Sequence, residues 1–420
     1  MKVVILCNDF PPINSIGAER PYSWYFYLKE LGITPVVITK NWVSDPNSKF
    51  PFVDSNTTKE STDKGFLIRV SDASTPSILF RNIFGNKLSI FRKALTFMSK
   101  ILSFPFSSFD QHRNIYKQAN TYIQNNDVDL VITSGEPFIL FKYGRLLKRT
   151  HKIHWIADYR DGWYLNHVFS ISNNFITRFM RWYEFKFEKK YMKAVDLILT
   201  VDPQLSSRLN SLFNKKSAVV YNGFWKFYET NKVDSQSECL VFNHTGTLTI
   251  GQRVEVLLQS IVELIKSEKI DSKKIKVNFI GLDFFPAQAN RVLNYHPLLK
   301  NVVSTTPRVP KNEAIEMNLN ADYMLNFTDS DISAIYAKTY DYIACKKPII
   351  VVPCDNGILS ELVLNHNLGF VAKSKDDLKN LLCDILNDKL QKNKISNLEG
   401  LNFFTRKSQA IELSKIIHDF

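Results

Sequence analysis

No stretch of this 420-residue sequence approaches the ~18–20 consecutive apolar residues that a bilayer-spanning helix needs. The opening MKVVILCNDF breaks its apolar core at Asn8 and Asp9, too early for a secretion signal. Cysteine is scarce. The five present, Cys7, Cys239, Cys345, Cys354 and Cys383, show no CxxC or Cys/His ligand spacing. That pattern argues against a disulfide framework and a zinc site, and suits a reducing, cytoplasmic compartment. No internal repeat of 20–50 residues is visible, and acidic residues are missing altogether from Ala73 to Phe109.

What is present is a basic excess on one side of the chain. The net charge is +13. Residues 1–238 hold 32 Lys and Arg against 21 Asp and Glu, whereas residues 239–420 hold 22 against 20. An excess confined to the first half implies an anionic partner there: a membrane surface, a nucleic acid or a phosphorylated substrate. No recognised RNA- or DNA-binding module accompanies it, which leaves nucleic acid the weakest of the three.

Short β-branched runs alternate with helix-length segments throughout. In the first half these are KVVILC, TPVVIT, FLIRV, DLVITS, IHWIAD, DLILTV and AVVYN; in the second, LVFNHTG, KVNFIG, VVST, DYMLNF, PIIVVP and GFVAK. Continuous apolar strands separated by helices predict parallel sheets covered on both faces. The fold expected is α/β, two doubly wound Rossmann-like domains in tandem, with ligands at the C-terminal edges of the strands. The divisions expected are 1–227, a polar linker at 228–238, 239–400, and a C-terminal helix over 401–420 that packs back on the first domain. The polar segment Lys40–Lys64 reads as a long surface excursion.

Several loops carry chemistry. After the first strand, CNDFPPINSIGAERP holds three prolines and a glycine, with helix expected to resume at Pro21. In NHTGTLTIGQRVEVLLQSI, Gly246-Thr247 and Gly251 lead into a helix expected from about Gln252, an arrangement that leaves free N–H groups for an anion, with Arg253 nearby. An ordinary strand-to-helix turn with a surface arginine reads equally well. In SDISAIYAKTYDYIACKKPIIVVP, Lys338 and Asp341 are neighbours on a helix, either a solvated pair or, for Asp341, a ribose ligand. In WIADYRDGWY, Asp158, Arg160 and Asp161 follow an apolar strand among aromatics that either stack on a sugar or shelter the charges. There Arg160 either serves a substrate or staples a loop between carboxylates. TSGEPF ends another strand with Ser134, Gly135 and Glu136.

In that order and spacing, PPINSIGAERPYSW, WIADYRDGW, VVYNGF, GTLTIGQR and AKTYDYIACKKPII resemble the GT-B nucleotide-sugar glycosyltransferases. The likeness is to the retaining family 4 group of bacterial capsule and O-antigen synthesis, over residues 3–370, and FTRKSQAIELSKII fits its C-terminal helix. The resemblance implies an interdomain cleft and transfer of a sugar from a nucleotide diphosphate to a glycan, lipid-linked acceptor. It implies retention of configuration and no bound metal or other cofactor. Donor binding would fall to Gly17, Ala18, Arg20, Gly246, Thr247, Arg253, Lys338 and Asp341. Asp158, Arg160 and Asp161 would be the catalytic group, with Ser134, Gly135 and Glu136 on the acceptor side. One departure stands out: of the family's two glutamates eight residues apart, the second corresponds to Asp341 and the first to Ser333, with Asp331 close by but off the matching position. A nucleotide-sugar epimerase of the same fold and a noncatalytic membrane-bound assembly factor are the alternatives.

The acid-free segment adds a further expectation. Phe84, Leu88, Phe91, Leu95, Met98 and Leu102 recur at helical spacing, and Arg81, Lys87, Arg92, Lys93 and Lys100 supply positive charge. The reading is either a helix packed on the core or an interfacial helix resting on anionic lipid through Arg92, Lys93 and Lys100, on the inner face of the cell membrane.

Overall fold

A computed structural model of the chain describes residues 1–13, 15–43, 51–84, 89–166, 174–229, 239–329, 333–387, 395 and 398–420. Of the expected linker at 228–238, only Tyr228 and Glu229 fall within the described residues, and Asp331, Lys87 and Leu88 lie outside them. The strands in chain order are β1 (Lys2–Leu6), β2 (Thr34–Lys40), β3 (Trp42–Val43), β4 (Phe52–Val53), β5 (Thr58–Ser61), β6 (Phe66–Val70), β7 (Leu130–Ser134), β8 (His154–Tyr159), β9 (Leu197–Thr200), β10 (Ser217–Val219), β11 (Leu240–Thr245), β12 (Ile275–Ile280), β13 (Val303–Thr305), β14 (Tyr323–Phe327), β15 (Ile349–Val352) and β16 (Gly369–Val371).

Contacts divide the chain into two units. The first comprises Met1–Tyr221 with Arg406–Phe420, and the second Asn222–Thr405. The first unit is built on an eight-stranded sheet in the order β10-β9-β8-β7-β1-β2-β6-β5, parallel except for β5. Alternate residues of each strand enter opposite cores. Val4 and Leu6 join Val36, Val131 and Trp155 on one face, while Val3 and Ile5 join Val37, Ile132 and Ile156 on the other. Burial on both faces is why these strands are apolar end to end. The C-terminal helix Arg406–His418 covers part of the second face with Leu413 and Ile417, and Gln409 Oε1 accepts a hydrogen bond from the Tyr221 N–H.

The second unit has a parallel six-stranded sheet in the order β13-β12-β11-β14-β15-β16. Phe242, Val277, Phe279, Leu325 and Ile350 pack with Leu257, Leu258 and Ile261 of the Glu255–Lys266 helix. In both sheets the strand order reverses beside the first strand, between β1 and β7 and between β11 and β14. At such a reversal the connecting segments leave in opposite directions and open a crevice at the C-terminal strand ends.

Three local expectations need correction. The first helix runs Ile16–Tyr27, so it starts five residues before Pro21. Ser15 is extended and its Oγ accepts from the Ala18 N–H at 3.1 Å, which caps the helix early and leaves Pro21 inside it. The helix expected from Gln252 starts at Glu255, because Gln252 is spent bracing the loop before it. The Lys40–Lys64 segment is more than an excursion: β3 pairs with β4, and β5 runs antiparallel along β6 as the sheet's edge.

Candidate functional site

Each unit carries one candidate site, at the crevice its strand order creates. In the second unit, β11 ends at Thr245, whose N–H donates to the Tyr342 hydroxyl at 2.9 Å. Gly246 follows at φ +89°, a left-handed conformation in which a glycine avoids strain, and turns the chain toward Thr247. The loop beyond is braced from beneath. Gln252 is buried and donates to the Phe327 carbonyl at 2.8 Å, while its Oε1 accepts from the Thr249 N–H at 3.0 Å. Arg291 holds the Gln252 and Thr249 carbonyls at 2.7 and 3.0 Å and grips Glu255 with two hydrogen bonds.

Two basic residues belong to this region, Arg253 further along the loop and Lys338 on a helix that reaches the turn. Arg253 is exposed, and among the described residues its guanidinium has no hydrogen bond or ion pair. Lys338, in the first turn of the Ala337–Ala344 helix, reaches back so that Nζ donates to His244 Nε2 at 3.0 Å and to the Thr247 carbonyl at 3.1 Å. Burial of this amine pushes it down to about 7. Lys338 therefore pairs with His244 rather than Asp341, whose carboxylate instead lies 3.9 Å from Lys311 Nζ. Ser333 donates to Asp355 Oδ2 at 2.7 Å and accepts from the Ile358 N–H at 2.8 Å. Burial would raise the Asp355 carboxyl, but hydrogen bonds from Ser360 and Ser333 pull it below its ordinary value.

In the first unit, Asp158 lies within β8, opposite Ser134 of β7, and both are buried. Its carboxylate accepts from Arg20 Nη2 at 2.9 Å, from Arg20 Nε at 3.1 Å and from Ser134 Oγ at 2.8 Å. Arg20, 1% exposed, also donates to the Val220 carbonyl at 2.6 Å and sits 4.8 Å over the Trp24 ring. This set ties the first helix to β7, β8 and the chain leaving β10. The Arg20 guanidinium is thus taken up by protein acceptors, and Asp158 and Ser134 are buried within the same set.

The surface of the site lies past the strand ends. Arg160 donates to the Gly135 and Glu136 carbonyls. A Cβ on Gly17 would collide with Arg160 Nη1 and stand 3.0 Å from Asp9 Oδ2, so the glycine makes room for the arginine. Ala18 is buried beneath, its N–H used by the Ser15 cap. Around Arg160 gather carboxyls from different strand ends. Glu136 is raised above its ordinary value by burial and by Asp161, with Arg160 opposing and Asp9 adding to the rise. Asp161 is exposed, yet the protein crowding its carboxyl raises it, again against Arg160. An acid held above its usual range by a crowded, like-charged neighbourhood is suited to accept a proton from a substrate hydroxyl.

The aromatics of WIADYRDGWY shelter this site from below. Trp155 is fully buried with Nε1 donating to Thr133 Oγ1, and Trp163 stacks on Phe138 with ring centroids 5.2 Å apart. Two glutamates of the Phe175–Met192 helix fasten the loop. The Tyr159 hydroxyl and the Tyr164 N–H donate to Glu188 at 2.9 and 3.0 Å, and Trp163 Nε1 donates to Glu184 at 3.1 Å. His244, Arg291, Glu188 and Asp355 were not singled out from the sequence. Only the sequence neighbourhood of His244, two residues before Gly246, could have flagged one of them.

Arg92, Lys93 and Lys100 lie on the Ser89–Ser103 helix of the first unit. Lys93 is exposed, and Lys100 pairs with Glu184 at 2.8 Å. On the same helix Ile90, Phe91 and Met98 are 78%, 64% and 53% exposed. The neighbouring Phe175–Met192 helix exposes Phe175, Ile176, Phe179 and Trp182, and its Tyr183 hydroxyl donates to the Ile101 carbonyl at 3.0 Å. Among the described residues no group of three or more His, Cys, Asp or Glu could hold a metal ion, and no helix is long and apolar enough to cross a membrane.

No protein-family model matches the sequence, and no curated protein matches it as a relative. Solved structures do match in shape along the whole chain. A glycosyltransferase from Rickettsia africae is 15% identical, with 99% of this chain and 97% of that one covered and a TM-score of 0.59. HepE of Anabaena, in complex with UDP and glucose, is 12% identical with both chains covered to 100% and a TM-score of 0.60. The lipopolysaccharide outer core galactosyltransferase WaaB is 12% identical, with 100% and 99% covered and a TM-score of 0.59. At such identities the likeness is one of architecture. Two doubly wound sheets in tandem, matched end to end by these enzymes, give the chain the GT-B fold.

Proposed function

We propose that the protein is a glycosyltransferase that moves a sugar from a nucleotide diphosphate to a lipid-linked glycan in bacterial surface polysaccharide synthesis, with retention of configuration and without a metal. The observation that carries this reading is the cationic turn of the second unit. A Cβ on Gly246 would meet only Lys338 Nζ, at 3.9 Å; Arg253 lies further along the same loop, and neither basic residue has a carboxylate ion pair among the described residues. Such a turn suits the diphosphate of a donor and the charge that develops on it as the sugar leaves. The donor ribose is assigned to Asp341, on the same helix as Lys338.

In the first unit Glu136 and Asp161 are the acids for the acceptor hydroxyl. Arg160 holds the Gly135–Glu136 backbone, and Gly17 allows its approach. Arg20, Asp158 and Ser134 fix that arrangement from within. The exposed apolar and basic face of the Ser89–Ser103 helix would rest on anionic lipid and bring the acceptor within reach.

The replacement of the family's first glutamate by Ser333 favours a second reading, a nucleotide-binding assembly factor without turnover. Incubating the protein with labelled nucleotide sugars and a glycolipid extract separates the two. Label in the lipid fraction, lost in Asp161→Asn at unchanged melting temperature, supports transfer. Donor binding with no label transferred, and no epimerised sugar, favours the assembly factor.

A further inference from the structure

We propose that His244 is a positioning residue that fixes Lys338 over the Gly246–Thr247 turn, and that an anion bound there draws a proton from solvent onto Lys338 Nζ. The inference rests on the reading of this turn as an anion site and adds how its charge is produced.

His244 is fully buried between Phe279 and Phe327, with Nδ1 2.9 Å from the Leu325 carbonyl. A carbonyl only accepts, so the closer carbonyl, at Nδ1, takes the ring proton; Nε2, 3.4 Å from the Thr247 carbonyl but 3.0 Å from Lys338 Nζ, presents its lone pair to the amine. Burial, and the Lys338 charge after it, hold this imidazole well below its ordinary value, so it stays a neutral acceptor. Lys338 thus has two acceptors, His244 Nε2 and the Thr247 carbonyl. A neutral amine has two N–H donors and one lone pair, and an ammonium has three donors. Both forms therefore satisfy the protein side fully. The third tetrahedral position becomes a donor only when a proton arrives.

Among the described residues no carboxylate neutralises that proton. Among the described residues, the titratable groups beside Lys338 are His244 on β11, which it contacts, and Asp341 and Tyr342, which share its helix. Asp341 lies by Lys311, and the Tyr342 hydroxyl accepts from the Thr245 N–H. Among the described residues no carboxylate forms an ion pair with Lys338, and burial of its amine brings it down to about 7. An anion at the third position supplies the missing countercharge and raises the proton affinity of the amine. Linkage then requires net proton uptake on binding above neutrality, and little uptake below it.

Sulfate tests this, because it is a dianion with no titrating proton of its own between about pH 6 and 9. Calorimetry of the full chain in two buffers of different ionisation enthalpy gives affinity and proton count together. The Lys338-dependent part, taken as the difference from Lys338→Met, should weaken roughly tenfold from about pH 6 to pH 8. Uptake should approach one proton at the higher pH and vanish at the lower. His244→Leu should bind sulfate at pH 6 as weakly as Lys338→Met, and His244→Gln, which keeps an acceptor, should restore the difference. Sulfate binding that is equal at both pH values, or identical in wild type and Lys338→Met, overturns the proposal, and neither result requires a His244 variant to fold. A folded His244→Leu variant that binds like wild type removes His244 from the role. The wider reading fails separately, if no nucleotide sugar binds the wild-type chain at either pH.

Discussion

Arg20 and Asp158 form the most committed pair in the first unit. Both are buried, and each satisfies the other with additional bonds to Ser134 and the Val220 carbonyl. Removing one partner strands the other's charge away from water, at a cost of about 3–5 kcal/mol. Asp158→Ala should therefore lower the melting temperature steeply. Asp161→Asn, three residues on and exposed, should leave melting unchanged while abolishing turnover. Equal melting of both variants would contradict the division between a positioning and a reacting carboxylate. The sequence placed both acids in one motif but could not separate them. The difference is set by where β8 ends: Asp158 is its fifth residue and points into the sheet's packing, and Asp161 lies beyond the last paired position. Gly17 was named through the family resemblance, but its neighbour Arg160, just past β8 and 143 residues on, could not be read from local pattern.

At the scale of elements, the apolar runs were legible because burial on both faces leaves strands no polar alternation. β3, β4 and β5 were not, since an edge strand such as Thr58–Ser61, mostly exposed, looks like loop. The Phe175–Met192 helix holds a second element-level feature. Glu188 fastens the Tyr159–Tyr164 loop, and burial raises its carboxyl to about 8 despite hydrogen bonds from Tyr159 and Tyr164. Its folded value exceeds the ordinary 4.5, so the folded state binds this proton more tightly. The stabilisation is complete below about pH 4.5 and is lost as pH rises through 8. Glu188→Gln, a permanent mimic of the protonated form, should remove this component. Between about pH 5 and 8 the wild type should lose stability relative to the variant, by a few kcal/mol in order of magnitude. Parallel melting curves across that range would show that Glu188 is ionised in the folded loop.

At the scale of the molecule, the basic excess of the first 238 residues coincides with the exposed apolar helices of the first unit. If this face rests on lipid, the protein should sediment with anionic vesicles, not neutral ones, and high salt should release it. Replacing Arg92, Lys93 and Lys100 by Gln should weaken vesicle binding without affecting nucleotide binding. Lys100 should contribute less than Lys93, because Glu184 already pairs with it. Equal vesicle binding by the triple variant would return this helix to an ordinary surface role. The tandem fold itself was readable from strand spacing, whereas the bracing of the cationic turn by His244 and Arg291 depends on contacts between distant segments that no local pattern encodes.

The central claim is that the turn at Gly246–Thr247 holds the diphosphate of a nucleotide sugar. Thermal shift of the full chain against a set of nucleoside diphosphates and their sugars tests it most directly, because a ligand that binds only the folded state raises its melting temperature. The account predicts that at least one of these compounds stabilises the wild type, and that Lys338→Met and Arg253→Met each reduce the shift without lowering the ligand-free melting temperature. No shift with any of them, or a full shift in both variants, would contradict it.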